Sequence, residues 1–206
     1  MKLERMDGPR VRLAPVSRED HPYLYNLATA DENAFRWLLR GAIPPFEQFV
    51  EQHATNFNNS FTVWLKESGE RIGQALIYNV DQRNGHLYVA VAIGPEGIGL
   101  GIGREALGVL IGYTFSVWPV RKVYAEVPGF TFSGVELAVS DSPVMDLFAV
   151  EGRLRSHLYV DGEYHDIYVI GFDREHWKGL DAFLSAWVVD ASDRSHSTRT
   201  ADSNRS

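Results

Sequence analysis

Alternating polar and apolar positions near the start of the chain predict a first β-strand, RVRLAPV, over residues 10–16. The next stretch, SREDHPYLYNLA, places a serine cap ahead of Leu24 and Leu27, which is typical of a helix start. A second helix is predicted by residues at helical spacing in PPFEQFVEQHATNF, namely Phe46, Phe49, Val50 and His53. We therefore expect two short helices after the first strand.

Three β-rich runs follow, separated by the turn-forming stretches ESGE and DQRNG. They predict an antiparallel meander over about 61–66, 71–79 and 86–93. The third run, HLYVAVAI, is apolar on both faces, which is typical of a strand in the middle of a sheet.

The rest of the pattern alternates helices and strands after a glycine-rich loop. REALGVLIGYTFSVW predicts a third helix whose inward residues are Ala106, Leu107, Leu110, Ile111 and Phe115. Another strand is predicted by RKVYAEV. A capping box, SGVE, predicts that a short helix begins at Ser133. The last two runs, LRSHLYV and HDIYVIG, predict a strand pair joined by the turn DGEY. This order predicts an α/β protein with a mixed sheet.

The composition limits the number of domains. The chain has 206 residues, of which 45% are hydrophobic, so it can bury one substantial core. We expect a single domain over 1–189. Residues 190–206 contain no large apolar side chain, so we expect a disordered tail there.

Charge and residue usage exclude several classes of function. The net charge of −7 would repel nucleic acid, and the absence of cysteine excludes disulfides and thiolate chemistry. The seven histidines show no metal-ligand spacing, so we expect no metal. No apolar run approaches the about 20 residues that cross a bilayer, and the first fifteen residues do not look like a signal peptide, so we expect a soluble cytoplasmic protein without membrane contact.

The stretch GPEGIGLGIGREA concentrates five of the eighteen glycines just before the third helix. Such a loop leaves backbone N–H groups unpaired at a helix N-terminus, where a phosphate can bind. A P-loop would need Lys-Ser or Lys-Thr where Arg104 and Glu105 stand. A dinucleotide fold accepts GIGREA, and Glu126 follows at about the right spacing, but its loop should follow the first strand of a βαβ unit rather than a meander.

Loop and context together resemble the GNAT N-acyltransferase superfamily, in particular its RimJ/RimL-like branch. The resemblance covers about residues 10–177. It rests on RVRLAPVSREDHPYLYNLA, on GLGIGREALGVLIGYTF and on EGRLRSHLYVDGEYHDIYVIGFDREHW. It implies the GNAT fold, with a mixed and mostly antiparallel central sheet, flanking helices, and a splay between the fourth and fifth strands.

The resemblance also implies where an acyl-CoA donor binds. Bare backbone at Gly99 and at the following loop glycines would approach the pyrophosphate, which the backbone N–H groups of Leu100, Gly101, Ile102, Gly103 and Arg104 would hold. The pantetheine arm would pair with the strand at Val91, Ala92 and Ile93. The family's basic or amide loop position falls on Ile98, which departs from the pattern.

Two residues are candidates for the chemistry. Glu126, on the strand beside the splay, could accept the amine proton, or could be a structural glutamate paired with an arginine. Ser133 lies at the serine of the family's Asn-x-x-Ser motif, whose serine contacts the thioester sulfur, and could equally be a plain helix cap. Phe130 stands at the asparagine position, which is a second departure.

Aromatic residues supply the candidates for acceptor binding. Packing is the commoner role for each of them. The candidates are Phe35, Trp37, His157, Tyr159 and Tyr168.

The function implied is transfer of an acetyl or other small acyl group from acyl-CoA to a primary amine by direct attack. Because two signature positions differ, an acyltransferase that uses an acyl-carrier-protein thioester is an alternative, and a noncatalytic acyl-CoA-binding scaffold is another. The acceptor, a small-molecule amine or a peptide N-terminus, stays open, and so does the choice between monomer and homodimer.

Overall fold

The computed structural model describes residues 6–30, 39, 43–57, 59–98, 101–132, 148–160 and 162–184. The short helix predicted from Ser133 and the predicted tail at 190–206 lie outside these residues.

The elements follow the predicted order. The strands are β1 (Val11–Pro15), β2 (Asn59–Leu65), β3 (Arg71–Asp81), β4 (His86–Ile93), β5 (Lys122–Pro128), β6 (Ala149–Val160) and β7 (Glu163–Asp173). The α-helices are α1 (His21–Ala30), α2 (Phe46–Asn56) and α3 (Ile102–Val117), and single turns of 3-10 helix span Arg18–Asp20 and Pro95–Gly97. The strand β6 begins at Ala149, five residues before the predicted run LRSHLYV, because the polar segment Glu151–Arg153 forms an edge strand whose outer side faces solvent.

The seven strands form one mixed sheet in the order β1-β2-β3-β4-β5-β7-β6. Only β4 and β5 run parallel; every other neighbouring pair is antiparallel. A parallel pair requires a crossover, and α3 supplies it. The predicted meander and the central position of β4 are confirmed.

The helix α3 covers one face of the sheet. Ala106, Leu110 and Ile111 are fully buried there with Leu87 and Val89 of β4. Of the residues predicted to point inward, Phe115 is also buried, but Leu107 is only partly buried, because the buried stripe runs along the neighbouring side of the helix. No helix among the described residues is both long and apolar enough to cross a bilayer.

The opposite face of the sheet carries α1 and α2. Leu24 and Leu27 of α1 and Phe49 of α2 pack with Ala92 of β4 into a second, smaller core. Side chains of β4 therefore alternate between the α3 face and the α1/α2 face.

Arg174, directly after β7, fixes the C-terminal end of α3. Its guanidinium donates hydrogen bonds to the backbone carbonyls of Phe115, Trp118 and Val120. The carbonyl of Phe115 in the last turn and that of the C-cap Trp118 have no intrahelical donor, so Arg174 satisfies them, and its contact to Val120 adds the connection to β5.

A buried polar cluster joins α2 to the sheet. His53 of α2 is only 7% exposed, and its Nε2 contacts the Ser60 hydroxyl at 3.1 Å and the Gln74 side-chain amide. Burial, together with the nearby His21 ring, lowers the pKa of His53 from 6.5 to about 4. His53 is therefore neutral in the folded protein at pH 7.

This cluster makes the free energy of unfolding depend on pH. Between pH 6.5 and pH 4 the unfolded chain binds a proton at His53 that the folded chain does not, so stability falls as the pH falls through this window. We expect His53 to account for a loss of about 2 kcal/mol between pH 7.5 and pH 5. Urea unfolding at both pH values should show this loss in the unaltered protein and in a His176→Gln control, whose imidazole is exposed. The loss should be missing in His53→Gln, and equal losses in all three proteins would contradict the prediction.

Candidate active site

Bare backbone lies at the N-terminus of α3, as the glycine loop predicts. Gly101 is the N-cap and adopts the left-handed conformation, with φ 73° and ψ 7°, which favours glycine because it has no Cβ. The N–H of Glu105 donates to the carbonyl of Gly101 at 3.2 Å and so closes the first turn. The N–H groups of the residues between them have no intrahelical acceptor and lie at the positive end of the helix dipole.

Two arginines flank this glycine. A Cβ built on Gly101 would lie 3.1 Å from Nη2 of Arg104 and 3.7 Å from Nη2 of Arg10. Of the predicted donor-loop residues, Gly99 and Leu100 lie outside the described residues. Ile98, at the family's basic position, is 64% exposed. The N-terminus of α3 at residues 101–104, which we call the mouth of α3, is thus lined by glycine backbone and positively charged.

Glu105 ties the first turn of α3 to β1. Its side chain is 1% exposed, and its carboxylate accepts hydrogen bonds from the N–H of Arg10 at 2.5 Å and the N–H of Val11 at 3.0 Å. The Nε–H of Arg10 donates to the second oxygen at 2.7 Å. Glu105 therefore has a structural role: its carboxylate lies at the positive end of the helix dipole and forms a buried link between segments that are 95 residues apart in the chain.

The sheet opens next to this mouth. The ladder between β4 and β5 ends at the pair Val89 and Ala125. Beyond it, Val91–Ile93 pair on their other side with β3, and Glu126–Pro128 pair with β7. The predicted splay is therefore present, and the backbone edge of Val91–Ile93 that faces β5 lies outside the ladder.

Glu126 lies on β5 directly after the last β4–β5 pair. It is partly buried, and it shares a sheet face with Tyr124, two residues before it. Its charge acts on two tyrosines: burial and then the Glu126 carboxylate raise the pKa of Tyr78 and that of Tyr88. The Tyr78 hydroxyl is buried and makes no hydrogen bond to any residue that the structure describes.

The three tyrosines form a row across β3, β4 and β5, which we call the tyrosine row (Tyr78, Tyr88 and Tyr124). Ring centroids are 5.6 Å apart between Tyr78 and Tyr88 and 5.2 Å apart between Tyr88 and Tyr124. None of these three tyrosines is among the candidates that the sequence patterns indicate. The register could have indicated them, because strand alternation places all three on the face of Glu126.

A cavity of about 460 Å³ borders the tyrosine row. Tyr88, Tyr124 and Glu151 contribute to its lining. The Glu151 carboxylate contacts the ammonium of Lys122 and accepts a hydrogen bond from the Tyr124 hydroxyl at 3.3 Å. The hydrogen bond to Glu151 is the main cause that raises the pKa of Lys122. The cavity is thus lined by tyrosine rings and, at one side, by a glutamate that forms an ion pair with Lys122.

The structure does not place the other residues predicted to contact the thioester or the acceptor beside Glu126. Ser133, Phe35 and Trp37 lie outside the described residues. His157 and Tyr159 are exposed on β6, where Tyr159 contacts the ring of Tyr164.

Tyr168 lies on the other face of the sheet from Glu126. It packs against the large core and stacks on Phe132, with centroids 3.9 Å apart and planes 10° apart. In the structure it has a packing role. Phe130, at the family's asparagine position, is 44% exposed and contacts the ring of His165. No cluster of three or more His, Asp or Glu side chains that could hold a metal occurs among the described residues.

The family model for the GNAT acetyltransferase domain matches residues 10–128, more than half of the chain. The chain belongs to the GNAT acetyltransferase family. This GNAT protein is 28% identical over 121 residues to an uncharacterized N-acetyltransferase p20 of Bacillus licheniformis, covering 59% of the chain and 65% of that relative's length. It is 25% identical over 164 residues to the spermidine N(1)-acetyltransferase of Escherichia coli K12, covering 76% of the chain and 82% of the relative.

Solved GNAT structures share the fold of this chain. The spermidine N-acetyltransferase of Vibrio cholerae, in a complex with CoA and spermine, aligns with a TM-score of 0.65 at 19% identity, over 82% of this chain and 98% of that one. A GCN5-related N-acetyltransferase of Brucella melitensis aligns with a TM-score of 0.65 at 22% identity, over 87% and 83% of the two chains. Family and relatives together make this chain an acyltransferase of GNAT type. They do not confirm the RimJ/RimL-like branch, and two of these four similar proteins are spermidine acetyltransferases.

The buried link at Glu105 predicts a stability effect. Glu105→Gln replaces a carboxylate by an amide that cannot accept three hydrogen bonds as strongly, so we expect a loss of about 2 kcal/mol in the free energy of unfolding. The exposed Glu67 provides a matched control, and Glu67→Gln should change stability by less than about 0.5 kcal/mol. Denaturant unfolding of both variants measures the difference. Indistinguishable midpoints would contradict the structural role of Glu105.

Proposed function

We propose that the protein transfers an acetyl or other small acyl group from acyl-CoA to a primary amine, and that the acceptor is a cationic aliphatic amine of the polyamine type. The observation that carries the proposal is one juxtaposition. The bare, positive mouth of α3 lies beside the opening between β4 and β5, and Glu126 lies at the first position past the last β4–β5 pair.

The residues present fit an acyl-CoA donor. Gly101 and the three residues after it offer N–H groups to a diphosphate. A Cβ on Gly103 would lie 3.3 Å from Ile93 Cγ1, so there is little space for a side chain at this position. The backbone of Val91–Ile93 offers hydrogen-bonding groups to an extended amide-containing arm. When bound, acyl-CoA supplies an acyl group activated as a thioester.

Glu126 would act on the acceptor. A primary amine is protonated at pH 7 and becomes nucleophilic only after it loses a proton, and the Glu126 carboxylate accepts that proton. The amine nitrogen then forms a bond to the acyl carbon and the carbon–sulfur bond breaks. The nitrogen gives up one further proton and the thiolate takes up one, which gives an amide and a free thiol. Ser133 stays a predicted contact to the sulfur.

The face of the sheet that carries Glu126 favours a cationic acceptor. Tyrosine rings attract ammonium groups, and the tyrosine row lies on the same sheet face as Glu126. Two of its members, Tyr88 and Tyr124, line the cavity of about 460 Å³. The net charge of −7 also attracts cations. The spermidine acetyltransferases among the relatives support this class of acceptor. The RimJ/RimL-like assignment, with a peptide N-terminus as acceptor, stays a prediction, as do acceptor contacts by Phe35, Trp37, His157 and Tyr159.

The test consists of two measurements. Calorimetry measures the binding of CoA, and an activity assay measures the release of thiol from acetyl-CoA after an amine is added. We expect CoA to bind and spermidine to give faster thiol release than a peptide with a free N-terminus or a monoamine. Binding without turnover across the amines would instead support the noncatalytic scaffold. Binding of phosphopantetheine as tight as that of CoA would support the carrier-protein donor.

A pair of glycine variants provides the control for the donor site. Gly101 and Gly69 both have positive φ, 73° and 71°, so Leu strains the backbone similarly at each. Of the two, Gly101 lies at the mouth of α3, whereas a Cβ on Gly69 would have no atom within 4 Å from any described residue other than its chain neighbours. Gly101→Leu should weaken CoA binding at least about 10-fold relative to Gly69→Leu. Equal affinities would contradict the proposed diphosphate position.

Glu126 provides the test of the chemistry. Glu126→Gln should lower kcat about 100-fold and leave the affinity for CoA unchanged, because the amide cannot accept the amine proton. The deficit should shrink as the pH rises and the free amine becomes abundant. The exposed control Glu67→Gln should match the unaltered enzyme. A pH-independent deficit in Glu126→Gln would contradict the role as base.

A further inference from the structure

Arg10 reaches the mouth of α3 from the start of β1. Its backbone N–H and its Nε–H both donate to the Glu105 carboxylate, so the guanidinium is held at its inner edge. Glu105 is buried, whereas the Arg10 side chain is 51% exposed. The carboxylate therefore fixes the arginine in place, while about half of the Arg10 side chain is exposed to solvent.

The guanidinium end of Arg10 converges with that of Arg104 on one glycine. The Nη2 atoms of both residues lie within 3.7 Å of the position that a Cβ on Gly101 would occupy. Two like charges this close repel each other, and an anion between them lowers the energy of the pair. Arginine binds phosphate oxygens through two parallel N–H groups, which suits this arrangement.

The position of Arg10 also accounts for a departure in the loop. The family's basic or amide residue is replaced by Ile98, which is 64% exposed and cannot donate a side-chain hydrogen bond. The chain carries a cation at the same mouth, but this cation is the side chain of Arg10, directly before β1, and not a residue of the loop.

We infer that Arg10 binds a phosphate group of the donor nucleotide in place of the residue that Ile98 replaces, and that Glu105 is the positioning residue that orients it. This inference rests on the proposed acyl-CoA donor. It assigns a ligand contact to the residue directly before β1, outside the glycine loop.

The test measures dissociation constants by calorimetry for CoA, dephospho-CoA and phosphopantetheine. Arg10→Gln should weaken CoA binding about 10- to 100-fold, because it removes a charge-assisted hydrogen bond. Arg12→Gln is the matched control, since Arg12 lies two residues further along the chain, is 59% exposed and pairs with Asp7; it should bind like the unaltered protein. Equal losses for CoA and dephospho-CoA would place the contact at the diphosphate, and a loss for CoA alone would place it at the 3′-phosphate.

A rescue variant separates ligand binding from a structural effect. Adding Ile98→Arg to Arg10→Gln returns a cation to the loop without restoring the bond to Glu105, so it should recover most of the lost affinity while the melting temperature stays that of Arg10→Gln. Arg10→Gln that binds CoA like Arg12→Gln would overturn the inference and leave the proposed function intact. An affinity loss that Ile98→Arg does not recover would also overturn it. Failure of the unaltered protein to bind any of the three compounds would overturn both proposals.

Discussion

The buried carboxylate of Glu105 is the constraint on which the site depends. It accepts hydrogen bonds from two backbone N–H groups at the start of β1 and from the Arg10 guanidinium, and so fixes the first turn of α3 against the edge of the sheet. Arg174 fixes the other end of the same helix through three backbone carbonyls. A helix held at both ends keeps its N–H groups in one place, and an anion-binding mouth needs this preorganisation.

The sheet provides the second half of the arrangement. The strands β4 and β5 are joined by a crossover through α3, and their ladder ends half-way along β4. The opening between β4 and β5 and the start of α3 therefore lie at the same end of these two strands. On the α1/α2 face, Glu126 lies at this opening, and the tyrosine row crosses the paired part of the sheet next to it. One side of the sheet thus offers charge complementary to phosphate, and the other offers a base and aromatic rings suited to an amine.

Local patterns in the sequence predict most of the fold. Strand alternation, the turn residues of the meander and the glycine run before α3 are short-range signals, and the structure follows them. The splay came from the family resemblance rather than from periodicity. Arg10 could not be found in this way, because its partner lies 95 residues away and no short-range pattern records that contact. The tyrosine row depends on the register of β3, β4 and β5, and the packing of Tyr168 depends on which face of β7 it occupies.

The most direct measurement is a backbone amide NMR titration of the protein with CoA. If the mouth of α3 holds the diphosphate, the largest shift changes will be at Gly101–Arg104, with a second set at Val91–Ile93. Shift changes centred on the cavity beside Asn84 and Arg121, with the amides at the start of α3 unaffected, would contradict the account.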